Sequence, residues 1–295
     1  MDLTEAINIA LAGLTAGAIY ALLAMGYDVI FATTGVLNFA HGELMMVGTM
    51  VGVGLFGDRG WPVLIALTAT VLFAGALGAV EERTAVRPAT SRGHGALGWV
   101  LATLGFAIIL RSAFALIMGP DIRVFPSFVS DDPVDVGGVL LNPQQLLVIG
   151  VALAMAVLLH VLYRRTLLGQ ALSAVAADPE AAAMRGIPVG RLSTISFALG
   201  SAIAGLTGFV AGPITAAFPT IGFGFALKGF IAAAVGGIPE IRGALVGGLL
   251  LGLIEAFGVH WIGAGFRDAV VFVALLAMLA VRPGGLLGRA AVRSV

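Results

Sequence analysis

The stretch GLTAGAIYALLAMGYDVIFATTGVLNFAHGE, from Gly13 to Glu43, decides the fold. Its first part is a long apolar run, and about 20 apolar helical residues suffice to cross the hydrocarbon core of a bilayer. Its last part, NFAHGE, places an amide, an imidazole and a carboxylate within six residues at the start of the next apolar run. The stretch therefore predicts a membrane span followed by a polar segment near membrane depth.

The composition of the whole chain points to lipid as its solvent. The 295 residues are 59% hydrophobic and 11% charged, whereas an average soluble domain is about a quarter charged. The absence of cysteine excludes disulfides, thiolate catalysts and Fe–S sites. Because the chain opens with Asp2 and Glu5 rather than a basic region, we expect no cleaved signal peptide and a first apolar run that stays as a span.

Apolar runs recur along the chain and predict an all-α polytopic membrane helix bundle that forms a single transmembrane domain over 1–295, with about nine spans. The predicted spans lie near 7–30, 36–56, 62–80, 96–118, 144–162, 193–215, 225–238, 243–261 and 265–281. The run at 225–238 is short, so a tilted, half-length or re-entrant helix is the alternative to a full crossing. Without that crossing the count is eight.

Arginine predicts the orientation, because short cytoplasmic loops are enriched in Arg and Lys. The segment after the third span, the loop at 163–191 and the C-terminal tail are therefore predicted to be cytoplasmic. Their arginines are Arg83, Arg87, Arg92, Arg164, Arg165, Arg185, Arg191, Arg282, Arg289 and Arg293. The loop at 119–143 is predicted to be extracytoplasmic; it sets Asp121, Asp131, Asp132 and Asp135 against Arg123. Nine spans place the arginine-rich segments inside and the acidic loop outside, with the N-terminus outside and the C-terminus inside.

Two features of the sequence bear on how the helices are arranged: small residues at close spacing and a faint repeat. Gly13 with Gly17, and Gly248 with Gly252, have the spacing of seams where helices approach closely in lipid. The stretches TGVLNFAHGELMMVGTMVG (34–52) and PTIGFGFALKGFIAAAVGG (219–237) resemble each other at a shift of 185 or 186 residues. They predict an inverted repeat with discontinuous helices and a substrate path between its halves.

No catalytic or metal site is predicted. The chain has no G-x-x-x-x-G-K-[ST] phosphate loop, so nucleotide energy would have to come from another chain. No H-E-x-x-H spacing connects its histidines, His41, His94, His160 and His260. No sequence feature indicates nucleic-acid binding, and we expect membrane lipid to surround the chain.

Polar residues in apolar runs are the candidates for a translocation path, since ionisable groups at membrane depth usually face a cavity or the bundle interior. They are Asn38, His41, Glu43 and Lys228, with Glu255 in a comparable run. The alternative is an interfacial helix start with ordinary caps and self-paired charges. Arg111 and Asp28 are predicted to be structural, through snorkelling or a buried partner.

DPEAAAMRGIP, from Asp178 to Pro188, predicts a two-turn cytoplasmic helix. Asp178 can cap its N-terminus, Pro179 suits its first position and Gly186 can close it. A helix this short is marginal alone, so something must hold it. Its alanines give little energy for lying on a membrane surface, which favours a protein partner over a membrane-surface helix.

These residues resemble a known family. Glu180, Ala181, Ala182 and Gly186 resemble the EAA-x-x-x-G loop of bacterial ABC importer permeases. Together with the stretch at 13–43 and GFGFALKGFIAAAVGGIPEIRGALVGGLLLGLIEA from Gly222, they make nearly the whole chain similar to the branched-chain amino-acid ABC permease family of the LivH type. The urea and short-chain amide permeases are similar in the same regions, and the sugar permeases more distantly.

The resemblance implies a non-enzymatic translocation subunit in the bacterial inner membrane that imports branched-chain amino acids by ATP-driven alternating access. It implies a second permease subunit, two cytoplasmic ATPases and an extracytoplasmic binding protein. ATP and Mg²⁺ would bind the ATPases, with no cofactor in this chain. Glu180, Ala181, Ala182, Arg185 and Gly186 would form the coupling helix. The alternatives are a urea or amide permease, a secondary transporter using Glu43, Glu255 and Lys228, and a channel.

Overall fold

A computed structural model describes residues 2–91, 95–130 and 132–288. Arg92, His94, Asp131, Arg289 and Arg293, named above, lie outside these residues. The described chain is mainly helical, and its α-helices are α1 Leu3–Thr34, α2 His41–Gly52, α3 Val63–Glu81, α4 Arg87–Ser91, α5 Gly95–Met118, α6 Pro143–Arg165, α7 Leu167–Ala177, α8 Pro179–Met184, α9 Val189–Thr215, α10 Ile221–Gly236, α11 Ile241–Ile262 and α12 Arg267–Val281. A π-helical turn at Val53–Asp58 continues α2, and another at Glu82–Val86 joins α3 to α4. A 3₁₀ turn at Ala264–Phe266 precedes α12.

The predicted polytopic helical fold is confirmed. Within the described residues, seven helices are long and apolar enough to cross a membrane, and they coincide with seven of the predicted spans. The predicted runs at 36–56 and 225–238 coincide with α2 and α10, which are shorter. α10 has 16 residues and is about 24 Å long, less than the roughly 30 Å of hydrocarbon in a bilayer. The number of complete crossings therefore stays a prediction.

The order of long helix, irregular link and short helix occurs twice, and at the starts of the short helices its offset differs from the one that letter matching indicates. The long helix α1 is followed by an irregular link and the short helix α2, and the long helix α9 is followed in the same way by α10. α2 begins at His41 and α10 at Ile221, 180 residues later. The shifts of 185 and 186 align apolar helix interiors, where many registers match equally well. The helix starts are set instead by local breaks, which explains the difference.

The break before α2 also corrects the predicted start of the second span, which was placed at residue 36. Gly35 has a φ of +66°, which ends the regular helix α1. The Thr34 hydroxyl then accepts a hydrogen bond from the Val36 amide at 3.2 Å, and the Asn38 side chain accepts one from the Ala40 amide at 2.8 Å. These side chains satisfy the backbone of the irregular link, and helix resumes only at His41.

The contacts divide into two compact units. The first unit holds the described residues of 1–25, 127–156 and 228–295. In it the two predicted small-residue spacings meet, which forms a seam between α1 and α11. A Cβ atom on Gly17 would lie 2.7 Å from the Gly248 carbonyl oxygen, and one on Gly13 would lie 3.0 Å from that of Gly252. Only glycine permits this approach, so the seam is confirmed as a packing feature.

The second unit holds the described residues of 26–126 and 157–227. α9 is largely buried in it and packs against both α2 and α3. The fully buried side chains Met45, Phe197 and Phe209 fill this core. Because α9 begins directly after α8, this largely buried helix is joined to α8 by only a few residues.

A short hairpin in the 119–143 loop departs from the all-α prediction. β1, Val134–Val136, pairs antiparallel with β2, Val139–Leu141, with Val134 opposite Leu141. The Leu140 amide donates a hydrogen bond to the Asn8 side chain at 3.2 Å, which attaches the hairpin to the start of α1. The strands contain three residues each, too few for period-two patterning to stand out from the sequence.

Candidate functional site

The predicted two-turn helix is confirmed as α8, Pro179–Met184. The Asp178 carboxylate accepts hydrogen bonds from the Glu180 amide at 3.0 Å and the Ala181 amide at 2.9 Å, which caps the N-terminus. At the other end Gly186 has a φ of +82°, and its amide donates to the Ala183 carbonyl at 2.9 Å. The local signals therefore specify both ends of the helix.

α8 is held by its own chain on one side. Ala182 is buried in a cluster with Leu172 and Val175 of α7 and Leu192 of α9. α7, an 11-residue helix that the sequence patterns did not predict, starts at a Thr166 cap whose hydroxyl accepts from the Gly169 amide at 3.0 Å. The support that a marginal helix needs is thus supplied by α7 and α9.

The opposite side of α8 is uncovered. Glu180, Met184, Arg185 and Gly186 are exposed, and Met184 keeps 84% of its surface. One face carries an acid, a base and a large apolar side chain on a helix that is fixed from behind. Such a face can bind a groove on another protein, although its role in coupling stays a prediction.

The polar segment before α2 is buried. The Asn38 side-chain nitrogen donates to Glu81 Oε2 at 2.8 Å, and its oxygen caps the turn at Ala40. The His41 ring lies against the Tyr27 ring, with 4.4 Å between their centroids. Glu43 forms an ion pair with Arg111 of α5. Arg111 thus has the buried partner that was predicted for it.

α2 and α10 cross where each begins. A Cβ atom on Gly42 would collide with the carbonyl oxygen of Gly222, and one on Gly222 would lie 2.6 Å from the carbonyl oxygen of Gly42. Glycine is required at both positions because the two backbones touch. The contact places the NFAHGE segment at the crossing of two short helices, which is where discontinuous helices form substrate sites in many transporters.

Lys228 lies in a separate cluster in the first unit. Its Nζ is 2.8 Å from Glu255 Oε1 and 3.3 Å from Asp268 Oδ1. The Tyr20 hydroxyl donates to Glu255 Oε2 at 2.8 Å, and Arg267 Nε is 3.2 Å from Oε1. The predicted path residues are therefore split between this cluster and the Asn38–Glu43 segment, and each charged member has a partner within the protein.

Two buried carboxylates at the end of α3 are absent from the predicted site. Glu81 accepts from Asn38, as described, and is fully buried. Glu82 is bound by Arg87, Ser193 and Thr194 at 2.8 to 3.0 Å. A pair of adjacent acids at the end of an apolar run is the signal that identifies them, since such groups are costly without a partner.

Comparisons with known proteins match this architecture. Residues 9–281 match the family described as "Branched-chain amino acid transport system / permease component". The chain is 33% identical over 296 residues to BraD of Pseudomonas aeruginosa, a high-affinity branched-chain amino acid transport system permease protein, covering 96% of each chain. LivH of Escherichia coli K12, which has the same description, is 33% identical over 297 residues, again covering 96% of each.

More distant likenesses agree on the fold. The ribose import permease protein RbsC of Escherichia coli K12 is 26% identical over 273 residues, covering 88% of this chain and 80% of RbsC. The solved structure of PsaBC from Streptococcus pneumoniae in complex with Fab has a TM-score of 0.50 at 13% identity, covering 92% of this chain and 91% of that one.

Apolar helices of spanning length, two of which form ion pairs with the short helices α2 and α10, define a multi-pass membrane protein. The family match covers most of the chain, and the identity to BraD and LivH extends over nearly all of it. The chain belongs to the branched-chain amino acid transport system permease family.

Proposed function

We propose that the chain is the translocation subunit of an ABC importer that takes up branched-chain amino acids. The observation that carries the proposal is α8, a capped helix that is fixed from behind by α7 and α9 and uncovered in front. Its Glu180-Ala181-Ala182 start and Gly186 end fit a helix that binds an ATPase subunit. The names of BraD and LivH support branched-chain amino acids as the solute.

The assembly would contain a second permease subunit, two cytoplasmic ATPases and an extracytoplasmic binding protein in a bacterial inner membrane. ATP and Mg²⁺ would bind the ATPases. The N-terminus would lie outside and the C-terminus in the cytoplasm, because that orientation puts α8 and the arginine-rich segments on the ATPase side. ATP-driven closure of the ATPases would move α8 and, through α9, switch the path between outward and inward access.

The proposed path residues are Asn38, His41 and Glu43 of the second unit, and Lys228 of the first. The ion pairs Glu43–Arg111 and Lys228–Glu255 neutralise the charges of these groups. A neutral, glycine-rich lining suits an aliphatic side chain, so solute selection would rest mainly with the binding protein. The interior charges would maintain the two short helices in position during transport.

The test is uptake by proteoliposomes containing the chain with its ATPase and binding-protein partners. We expect radiolabelled leucine to accumulate only with internal ATP, and unlabelled valine and isoleucine to compete, whereas urea and ribose do not. Accumulation without ATPase subunits would favour a secondary transporter, and downhill flux without ATP a channel. Competition by urea would favour the amide permeases.

A further inference from the structure

We propose that Glu81, Glu82 and Arg87 form a mechanical link that carries movement of α8 to the segment opening α2, with Arg87 as its positioning residue. The inference rests on the proposed function, because it assigns the route by which the coupling helix acts on the path. Every residue in the link belongs to the second unit.

The π-helical turn that follows α3 brings the side chains of Glu82 and Arg87 together. In an α-helix, side chains three or four residues apart meet, whereas Glu82 and Arg87 are five apart. The Arg87 amide donates to the Glu82 carbonyl, the i to i+5 pattern of a π-helix, and this places the two side chains over each other. Arg87 Nε and Nη2 then bind both carboxylate oxygens of Glu82 at 3.0 and 2.9 Å. A bidentate pair of this kind fixes the relative geometry of its two side chains.

The same pair holds the start of α9. Arg87 Nη2 also donates to the Gly190 carbonyl at 2.6 Å and to the Thr194 hydroxyl at 2.8 Å. The hydroxyls of Ser193 and Thr194 donate to the Glu82 carboxylate at 3.0 and 2.8 Å. Since α9 begins at Val189, a few residues after Gly186 closes α8, a displacement of α8 acts directly on these bonds.

Glu81 continues the link towards α2. Consecutive helical residues point about 100° apart, so Glu81 faces a different neighbour from Glu82. It is fully buried, and its Oε2 accepts the Asn38 amide at 2.8 Å. Asn38 in turn caps the turn before His41. The other oxygen, Oε1, accepts no hydrogen bond from the described residues, so the Asn38 amide has a second acceptor available when the turn shifts.

The first test is the number of leucine molecules imported per ATP hydrolysed by the reconstituted importer. Arg87→Gln removes the guanidinium group that binds both carboxylate oxygens of Glu82. Arg83→Gln is the matched control, because Arg83 is exposed in the same turn and makes no ion pair with the described residues. We expect Arg87→Gln to assemble with the ATPase and hydrolyse ATP, but to import about tenfold less leucine per ATP, a change typical of lost coupling between sites. Arg83→Gln should match the wild type. An Arg87→Gln importer that assembles and keeps the wild-type number of leucine molecules per ATP would overturn the proposal.

The second test is a double-mutant cycle with Asn38→Leu. If both residues act through one link, each variant lowers the leucine-to-ATP ratio about tenfold and the double variant lowers it no further, whereas independent sites give about 100-fold. Additive losses would overturn the link. Should Arg87→Gln fail to assemble, the isosteric Thr194→Val decides the question by removing one hydroxyl from Glu82. A wild type without ATP-driven uptake would refute the proposed function itself, and the link with it.

Discussion

Replacing Gly186 by alanine tests how α8 is terminated. Gly186 has a φ of +82°, and a Cβ atom there would meet nothing within 4 Å, so the cost is conformational and not steric. An L-residue in this region costs about 1–2 kcal/mol, equivalent to roughly a 5- to 30-fold change in a population. Because a six-residue helix has little stability of its own, that loss falls on the docked conformation of α8.

We therefore expect Gly186→Ala to weaken ATPase binding to the detergent-solubilised permease by about 5- to 30-fold, and Gly186→Asn by less, since asparagine visits this region more readily. A β-branched valine should abolish transport while the protein remains in the membrane. The matched control is Gly119→Ala: Gly119 ends α5 with a φ of +88° and also has no atom within 4 Å of a Cβ. Unchanged ATPase affinity in Gly186→Ala, or an equal loss in Gly119→Ala, would refute the reasoning.

Three further predictions concern packing, charge and orientation. Arg111→Leu leaves the buried carboxylate of Glu43 unpaired and should lower the free energy of unfolding by about 3 kcal/mol. This is the lower end for a broken buried ion pair, because Arg111 is 37% exposed. Thermal unfolding in detergent measures the loss, and an unchanged midpoint would contradict the prediction. Gly17→Leu should cost about 1–3 kcal/mol by overpacking the α1–α11 seam, while Gly105→Leu, which has open space around it, should cost little in the same assay. In this cysteine-free chain, Glu180→Cys should react with an impermeant maleimide only from the cytoplasmic side and Asp135→Cys only from outside; the reverse labelling would contradict the proposed orientation.

The spans and α8 could be predicted because their signals are local. Lipid requires about 20 apolar residues for a crossing, and each predicted span coincides with a helix. The caps of α8 are Asp178 before it and Gly186 after it, both within a few residues of the helix they end. The two small-residue spacings were predictable for the same reason, since each repeats within a single helix, but the contact of α1 with α11 was not.

The partners of the buried charges could not be predicted in this way. Glu43 and Arg111 are 68 residues apart, and Asn38 and Glu81 are 43 apart. Periodicity describes one helix at a time and does not specify which helices meet. The π-helical turn at Glu82–Val86 adds a residue to one helical turn, and no pattern of apolar positions in the sequence signals it. The contact between Glu82 and Arg87 could therefore be found only from the three-dimensional structure.

The most direct test of the central claim is a pull-down from detergent with the intact chain and the Glu180→Ala/Arg185→Ala variant. Both side chains are exposed and the cap is Asp178, so the variant removes two charges from the uncovered face and leaves the helix signals in place. The account predicts that an ABC ATPase co-purifies with the intact chain and is lost with the variant. Equal recovery with both, or no ATPase with either, would contradict it.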